Sequence, residues 1–234
     1  MSKTLIVFKK ELRELFGVRS SLITGIGFSL LFGGMYSFRL TGDMPLALDL
    51  SLGSLLFFLS TMIGAFVAYA STAQIFLREK MDLVVETLLC SPAGLRDVWM
   101  GKTIAVTLFA DIMALGAGAL TAAITSARVG TLAFPNPAVV LYLVAVMPLV
   151  IACLVGALGF AQLLLGMKEN RIISMVLFIP IFASLYTVGY ASTGTLAIGW
   201  LTVGIVALVA AAVLCALTWG TRLLSRERIV TSLS

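Results

Sequence analysis

Six apolar runs divide this 234-residue chain, and they cover residues 21–38, 52–76, 103–127, 138–165, 172–190 and 196–220. A bilayer core about 30 Å thick requires about 20 apolar residues in a helix. Membrane-spanning β-strands would alternate in polarity and be about ten residues long, and these runs do neither. The chain is also 60% hydrophobic and only 12% charged. The sequence therefore predicts an all-α membrane protein with six transmembrane helices, forming a single domain over residues 1–234.

The basic residues predict the orientation of these spans. With six spans, both termini lie on one side, and of the 16 Lys and Arg all except Arg39 and Arg128 fall on that side. Because cytoplasmic loops carry the excess of Lys and Arg, we expect cytoplasmic N- and C-termini, including a tail over 221–234, in a multi-pass protein of the plasma membrane. The net charge of +5 follows from this topology and indicates no nucleic-acid partner.

An amphipathic helix is predicted at the N-terminus, over residues 1–19. Its apolar stripe consists of Leu5, Phe8, Leu12, Leu15 and Phe16. Its polar side consists of Lys9, Lys10, Arg13 and Glu14. Such a helix lies in the membrane interface, with its bases near anionic lipid headgroups. Two roles stay open: a simple topology anchor, or a lever that moves with the first span.

The chain lacks the residue patterns of an enzyme or a metal site. It contains no His, and Cys90, Cys153 and Cys215 have neither metal-ligand nor disulfide-framework spacing. Gly101-Lys102-Thr103 resembles the end of a phosphate-binding loop, but Arg96 occupies the position where that loop needs Gly. We therefore expect no catalytic residues, no metal and no cofactor in this chain, and any nucleotide to bind to another chain.

Asp111 is an unusual residue for a predicted span. It follows Thr103 by eight residues and so lies about 12 Å into the apolar core. A carboxylate at that depth faces protein or a water-filled cavity, because its side chain is too short to reach the interface. Gln162 enters from the same side and is a possible partner. Three roles stay open for Asp111: structural hydrogen bonding, a place in a transport path, or a coupling relay.

A charged segment lies between the second and third spans, over residues 78–100. Within it, Met81, Val84, Val85, Leu88 and Leu89 have helical spacing. Glu79, Lys80, Asp82 and Glu86 lie largely on the other side of the same helix. Pro92 ends the helix, since the residue before a proline disfavours helical geometry. A polar helix between membrane spans offers a rigid surface to a soluble partner.

Four features together resemble the permeases of the type-2 ABC exporter superfamily. The opening Phe8-Lys9-Lys10-Glu11-Leu12-Arg13-Glu14-Leu15 is similar to the elbow helix of that family. Arg78-Glu79-Lys80 followed by Val85-Glu86-Thr87-Leu88-Leu89-Cys90-Ser91-Pro92 is similar to its coupling helix. Gly101-Lys102 at the third span and the tail Leu224-Ser225-Arg226-Glu227-Arg228-Ile229 are the other two.

This resemblance implies a membrane subunit of an ATP-driven exporter. Two separate ATPase subunits would bind and hydrolyse the ATP, and a second permease subunit, identical or paralogous, would complete the complex. A cytoplasmic coupling helix would contact the ATPase through Glu79, Lys80, Glu86, Leu88, Leu89 and Pro92. Because the spans carry few charges, we expect an amphipathic or hydrophobic substrate.

Three other functions stay open. A non-catalytic membrane scaffold or assembly factor would use the polar segment to recruit a partner without transport. A haem-exporter-type permease has a similar size, although this chain has no His to ligate haem. An ion-coupled transporter would depend on the single carboxylate of Asp111.

Overall fold

The computed structural model describes residues 3–17, 22–23, 25–27, 30–32, 34, 45–77, 94–129, 135–164 and 198–220. Its helices are α1 (Lys3–Gly17), α2 (Pro45–Thr72), α3 (Leu95–Val129), α4 (Pro137–Leu141), α5 (Met147–Leu164) and α6 (Trp200–Gly220). Two π-helical turns, Ala73–Leu77 and Tyr142–Val146, follow α2 and α4. Throughout these described ranges every element is helical, so the prediction of an all-α fold is confirmed there.

Four helical stretches are long and apolar enough to cross a membrane. They are Leu52–Phe76, Arg96–Ala127, Pro137–Gln162 and Trp200–Gly220, and they overlap the second, third, fourth and sixth predicted runs. The predicted run 21–38 is described only at scattered positions. The run 172–190 and the tail 221–234 lie outside the described residues, and the predicted segment 78–100 is described only from residue 94 onward.

Helix α2 lies at the centre of the bundle and α6 at its edge, since most of α2 is buried and most of α6 is exposed. Small residues allow the central helices to approach closely. A Cβ atom on Gly64 of α2 would lie 2.7 Å from the side chain of Ile151 in α5 and 3.4 Å from Cβ of Ala114 in α3. At Gly156 of α5, an added Cβ would lie 3.2 Å from the ring of Trp99. The three helices therefore pack with almost no spare volume at these positions.

Helix α3 begins at Leu95, about two turns before the apolar run that starts at Thr103. Its first turn contains Asp97, whose negative charge is favourable near the helix N-terminus. The amide of Val98 donates to the carbonyl of Gly94 over 3.1 Å, which closes that first turn. The apolar pattern marks only the part of the helix that is suited to a bilayer, and the helix itself continues into polar sequence.

The π-helical turn Tyr142–Val146 ends two residues before Pro148. In a regular α-helix the proline ring would clash with the carbonyl four residues earlier, and the wider turn relieves this contact. Within the turn, the hydroxyl of Tyr142 hydrogen-bonds to Thr61 of α2, and its ring stacks on Phe57 at a centroid distance of 4.0 Å. The irregular turn therefore positions an aromatic residue that fastens this helix to α2.

Candidate functional site

Among the described residues, those on either side of the charged segment form several polar contacts between helices. Helix α2 with its π-helical turn ends at Leu77, and α3 begins at Leu95. All six residues predicted to contact an ATPase lie between these points and outside the described residues: Glu79, Lys80, Glu86, Leu88, Leu89 and Pro92. Their neighbours on both sides are described, and α1 packs against the start of α3.

A buried ion pair joins α1 to α3. Lys102 Nζ lies 3.0 Å from Glu11 Oε1, and the two side chains are 3% and 2% exposed. Glu11 also lies 3.4 Å from Nζ of the exposed Lys10. Breaking a buried pair by removing one partner typically costs about 3–5 kcal/mol, because the other charge stays buried without compensation. The pair therefore fixes the position of α1 on α3 strongly.

The ammonium group of Lys102 also contacts the end of α2. It lies 5.7 Å from the centroid of the Phe76 ring, within the range of a cation–π interaction. Phe76 belongs to the π-helical turn Ala73–Leu77. Its ring also packs against α5, where a Cβ on Gly159 would lie 2.9 Å from it. Lys102 therefore connects α1 with the residues immediately before the charged segment.

Two further contacts fasten α1 to the first turns of α3. The hydroxyl of Thr4 donates to Asp97 Oδ1 over 3.0 Å. A Cβ on Gly101 would lie 2.9 Å from the carbonyl oxygen of Thr4 and equally close to the side chain of Val7. Glycine is therefore needed at position 101 for α1 to approach this closely. We call the set Thr4, Glu11, Phe76, Asp97 and Lys102, with Gly101 between them, the α1–α3 joint.

The joint gives Gly101-Lys102 a structural role. The sequence argued against a phosphate-binding loop at these residues, and the structure places them inside α3, with Lys102 paired to Glu11. In the resemblance to type-2 ABC permeases, the same dipeptide stood at the entry to the third span. Here Gly101 allows α1 to approach closely, and the side chain of Lys102 pairs with Glu11.

A second polar feature runs along α3 deeper in the bundle. Thr103, Thr107 and Asp111 follow one another at four-residue spacing and are 5%, 9% and 8% exposed. We call these three residues the polar row. Across the described residues, Thr103 Oγ1, Thr107 Oγ1 and Asp111 Oδ1 have no hydrogen-bond partner. By contrast, Thr121 and Thr125 on the same helix donate to carbonyls one turn earlier, over 2.9 and 2.8 Å.

Asp111 and Gln162 lie at different depths of the bundle. Gln162 lies one turn beyond Gly159, which faces Phe76, and Phe76 contacts Lys102. Asp111 is nine residues further along α3 than Lys102, or about 13 Å. Both side chains are buried. No hydrogen bond between the two residues occurs in the part of the chain that the structure describes.

No protein-family model, no curated protein and no solved structure matches this chain.

Sequence reasoning missed Glu11, although it is the central acidic residue of the joint. The predicted apolar stripe places α1 in the membrane interface and does not identify the face that packs on α3: its residues Leu5 and Phe16 are 46% and 41% exposed. The buried face instead contains Glu11 and Leu15, which are one helical turn apart. The sequence offered one signal for this contact: Glu11 and Lys102 have opposite charges, and each lies beside an apolar stretch. Nothing local indicates that residues so distant in sequence meet.

Proposed function

We propose that this chain is the transmembrane permease subunit of an ABC transporter, similar to the type-2 exporters, and that it exports an amphipathic or hydrophobic substrate. Separate ATPase subunits would bind the ATP, and a second permease subunit would complete the pathway. The complex would lie in the plasma membrane with both termini of this chain in the cytoplasm. The α1–α3 joint is the observation that carries this proposal, together with the four sequence features.

The joint supports a coupling role because of its position in the chain. The segment from residue 78 to residue 93 connects Phe76 and its π-helical turn to the start of α3. A displacement of this segment by a partner would act on α2 and α3 at once. Lys102 is in contact with Glu11 of α1 and with Phe76, so α1 would be displaced together with them. Rigid-body movement of packed helices is an established way of transmitting such a displacement.

The proposed substrate class is supported by the chemistry of the spans. The stretches Pro137–Gln162 and Trp200–Gly220 contain no charged residue, and the polar groups of α2 and α3 are mainly hydroxyls such as Ser60, Thr61 and Thr107. A pathway lined by these helices would suit an apolar cargo with a few hydrogen-bonding groups better than a small charged metabolite. Export is the direction implied by the resemblance.

Affinity purification in mild detergent from the native host tests the proposal. We expect a stoichiometric ATPase with a phosphate-binding loop to copurify with the tagged chain. The double variant Glu79→Lys, Glu86→Lys should lose this ATPase, while the chain remains in the membrane. Glu14→Lys is the matched control, since it reverses an exposed carboxylate on α1 outside the segment. A chain that purifies alone, or with partners lacking ATPase motifs, would contradict the proposal and favour a scaffold or an ion-coupled transporter.

A further inference from the structure

The contacts between α2 and α3 define the register of these two antiparallel helices. Ser60 Oγ would lie 3.0 Å from a Cβ on Gly118, Gly64 faces Ala114, and Phe76 lies beneath the ammonium group of Lys102. From one pair to the next, the residue number on the α2 side rises by the same amount as the residue number on α3 falls. Interpolation between them places Thr107 at the level of Ser71. It places Asp111 at the level of Val67, in the buried interior of the bundle.

The polar row lies along one face of α3 and begins beside the joint. Its three residues are four positions apart, so they share a face and are separated by about 6 Å each along the axis. Thr103 follows Lys102 directly. The side chains of the row are more than nine-tenths buried, and within the described residues their oxygen atoms named above have no partner.

The spacing of the row matches a chain of water molecules. A single water that hydrogen-bonds to two groups over about 2.8 Å each joins oxygen atoms about 4.5 Å apart, and two waters in series join oxygen atoms about 6–7 Å apart. Buried polar groups without a protein partner are commonly satisfied by internal water. One or two waters between Thr103 and Thr107, and one or two between Thr107 and Asp111, would connect the carboxyl group to the joint.

The surroundings of Asp111 favour neutralisation of its carboxylate by a bound proton over neutralisation by a positively charged side chain. Titratable side chains on the buried or half-buried faces of α3 and of the helices around it are Glu11 on α1, Tyr69 on α2, Asp97 and Lys102 on α3, and Tyr142 and Cys153 before and within α5. In the described structure none of them forms a hydrogen bond or an ion pair with Asp111. Lys102 is about 13 Å away along α3 and is paired with Glu11. An isolated carboxylate inside a membrane is costly, and proton uptake removes its charge.

We propose that the face of α3 carrying Thr103, Thr107 and Asp111 is hydrated, and that Asp111 is a proton-binding site which exchanges with the side of the membrane where Lys102 lies. The proton moves between water and the carboxylate oxygen through the intervening waters and hydroxyl groups, without a redox step. This property does not depend on the partner subunits of the proposed transporter.

Thiol labelling tests the hydration. In a background with Cys90, Cys153 and Cys215 replaced by Ala, the variant Thr107→Cys is reconstituted into phosphatidylcholine vesicles and treated with a small water-soluble maleimide. Val106→Cys and Leu108→Cys are the matched controls, since Val106 is fully buried and Leu108 is exposed on the outer face. We expect Thr107→Cys to react at least about tenfold faster than either control, because the reactive thiolate forms only in contact with water.

Infrared difference spectroscopy tests the proton site on the same vesicles. The unmodified chain should show a protonated-carboxyl band that disappears as the pH rises, and Asp111→Asn should lack this band. Labelling of Thr107→Cys no faster than both controls would overturn the proposal, as would a carboxyl band that does not change with pH. The labelling variant retains Asp111, so it tests the hydration even where Asp111→Asn fails to fold, and the pH dependence of the carboxyl band is measured on the unmodified chain. Neither readout requires transport or ATPase activity, so the outcome is separate from that of the proposed function.

Discussion

Glu11 and Lys102 form an ion pair of 3.0 Å, although 91 positions separate them in the chain. The pair lies at the point where α1 meets the first turns of α3, and the ring of Phe76 lies beside it. Three helices that are distant in sequence therefore meet at one buried ammonium group. In the proposed coupling, a displacement of the start of α3 would therefore move all three helices together.

Removing one partner of the ion pair should destabilise the protein. Glu11→Ala removes the carboxylate 3.0 Å from the buried Lys102 ammonium group, so we expect a loss of about 3–5 kcal/mol in the free energy of unfolding. Glu14→Ala removes an exposed carboxylate from the same helix and should change the free energy of unfolding by no more than about 0.5 kcal/mol. Denaturant unfolding in detergent, followed by circular dichroism, measures both. Equal effects of the two variants would show that the pair does not hold α1.

Adding a methyl group at position 101 should separate α1 from α3. In Gly101→Ala the new Cβ would lie 2.9 Å from the Thr4 carbonyl, which belongs to the backbone and cannot rotate away. Overpacking of this kind costs about 1–3 kcal/mol. Gly116→Ala is the matched control on the same helix, because nothing lies within 4 Å of its Cβ. There we expect a stabilisation of up to about 1 kcal/mol from helix propensity. Opposite signs for the two substitutions are the expected result, measured as melting temperatures.

A disulfide at the joint should form readily and leave transport intact. Thr4 and Asp97 are in hydrogen-bond contact, so Thr4→Cys with Asp97→Cys, in a background without the native cysteines, should cross-link under mild oxidation. If α1 moves with α3 as one body, the cross-linked protein transports as well as the reduced one. Transport that stops on oxidation and returns with reductant would instead show that the joint opens during the cycle. Thr4→Cys with Glu14→Cys is a control pair that lies on one helix and should not restrain α3.

The contact between Lys102 and Phe76 should contribute measurably to stability. Phe76→Leu keeps an apolar side chain but removes the aromatic face, so the loss combines repacking with the cation–π interaction. The same substitution made in a Lys102→Met background lacks the second component. We expect the two costs to differ by about 0.5–2 kcal/mol, the usual size of a cation–π interaction. A double-mutant cycle of unfolding free energies measures this difference, and a value near zero would leave Phe76 with a packing role alone.

Local patterns were sufficient to predict most of the described helices. The runs 52–76, 103–127, 138–165 and 196–220 each correspond to a described helical stretch, because length and apolarity alone decide which segments suit a bilayer. The helix of α3 nevertheless begins at Leu95, since polar residues such as Arg96 and Asp97 continue it beyond the apolar run. The residues expected to contact an ATPase lie outside the described residues, and their role remains a prediction.

The candidate site was less accessible to sequence reasoning. Asp111 was identified because a carboxylate within an apolar run is conspicuous. Glu11 was not identified, because the apolar stripe of α1 predicts only that this helix lies in the membrane interface and does not show which side chains face α3. An amphipathic helix in an interface has two apolar environments, lipid and protein, and periodicity does not distinguish them.

The sequence by itself determined that this chain forms long apolar helices, because a backbone in a bilayer must satisfy its hydrogen bonds within each segment. Composition and spacing are sufficient for that conclusion, and they need no knowledge of neighbouring helices. Only the tertiary structure decided which polar groups meet: Glu11 with Lys102, Thr4 with Asp97, and Asp111 with none of the described side chains. These pairings depend on the rotation of α1 and on the register of α2 against α3. Close packing at Gly64, Gly101 and Gly118 sets both, through contacts between residues far apart in the chain.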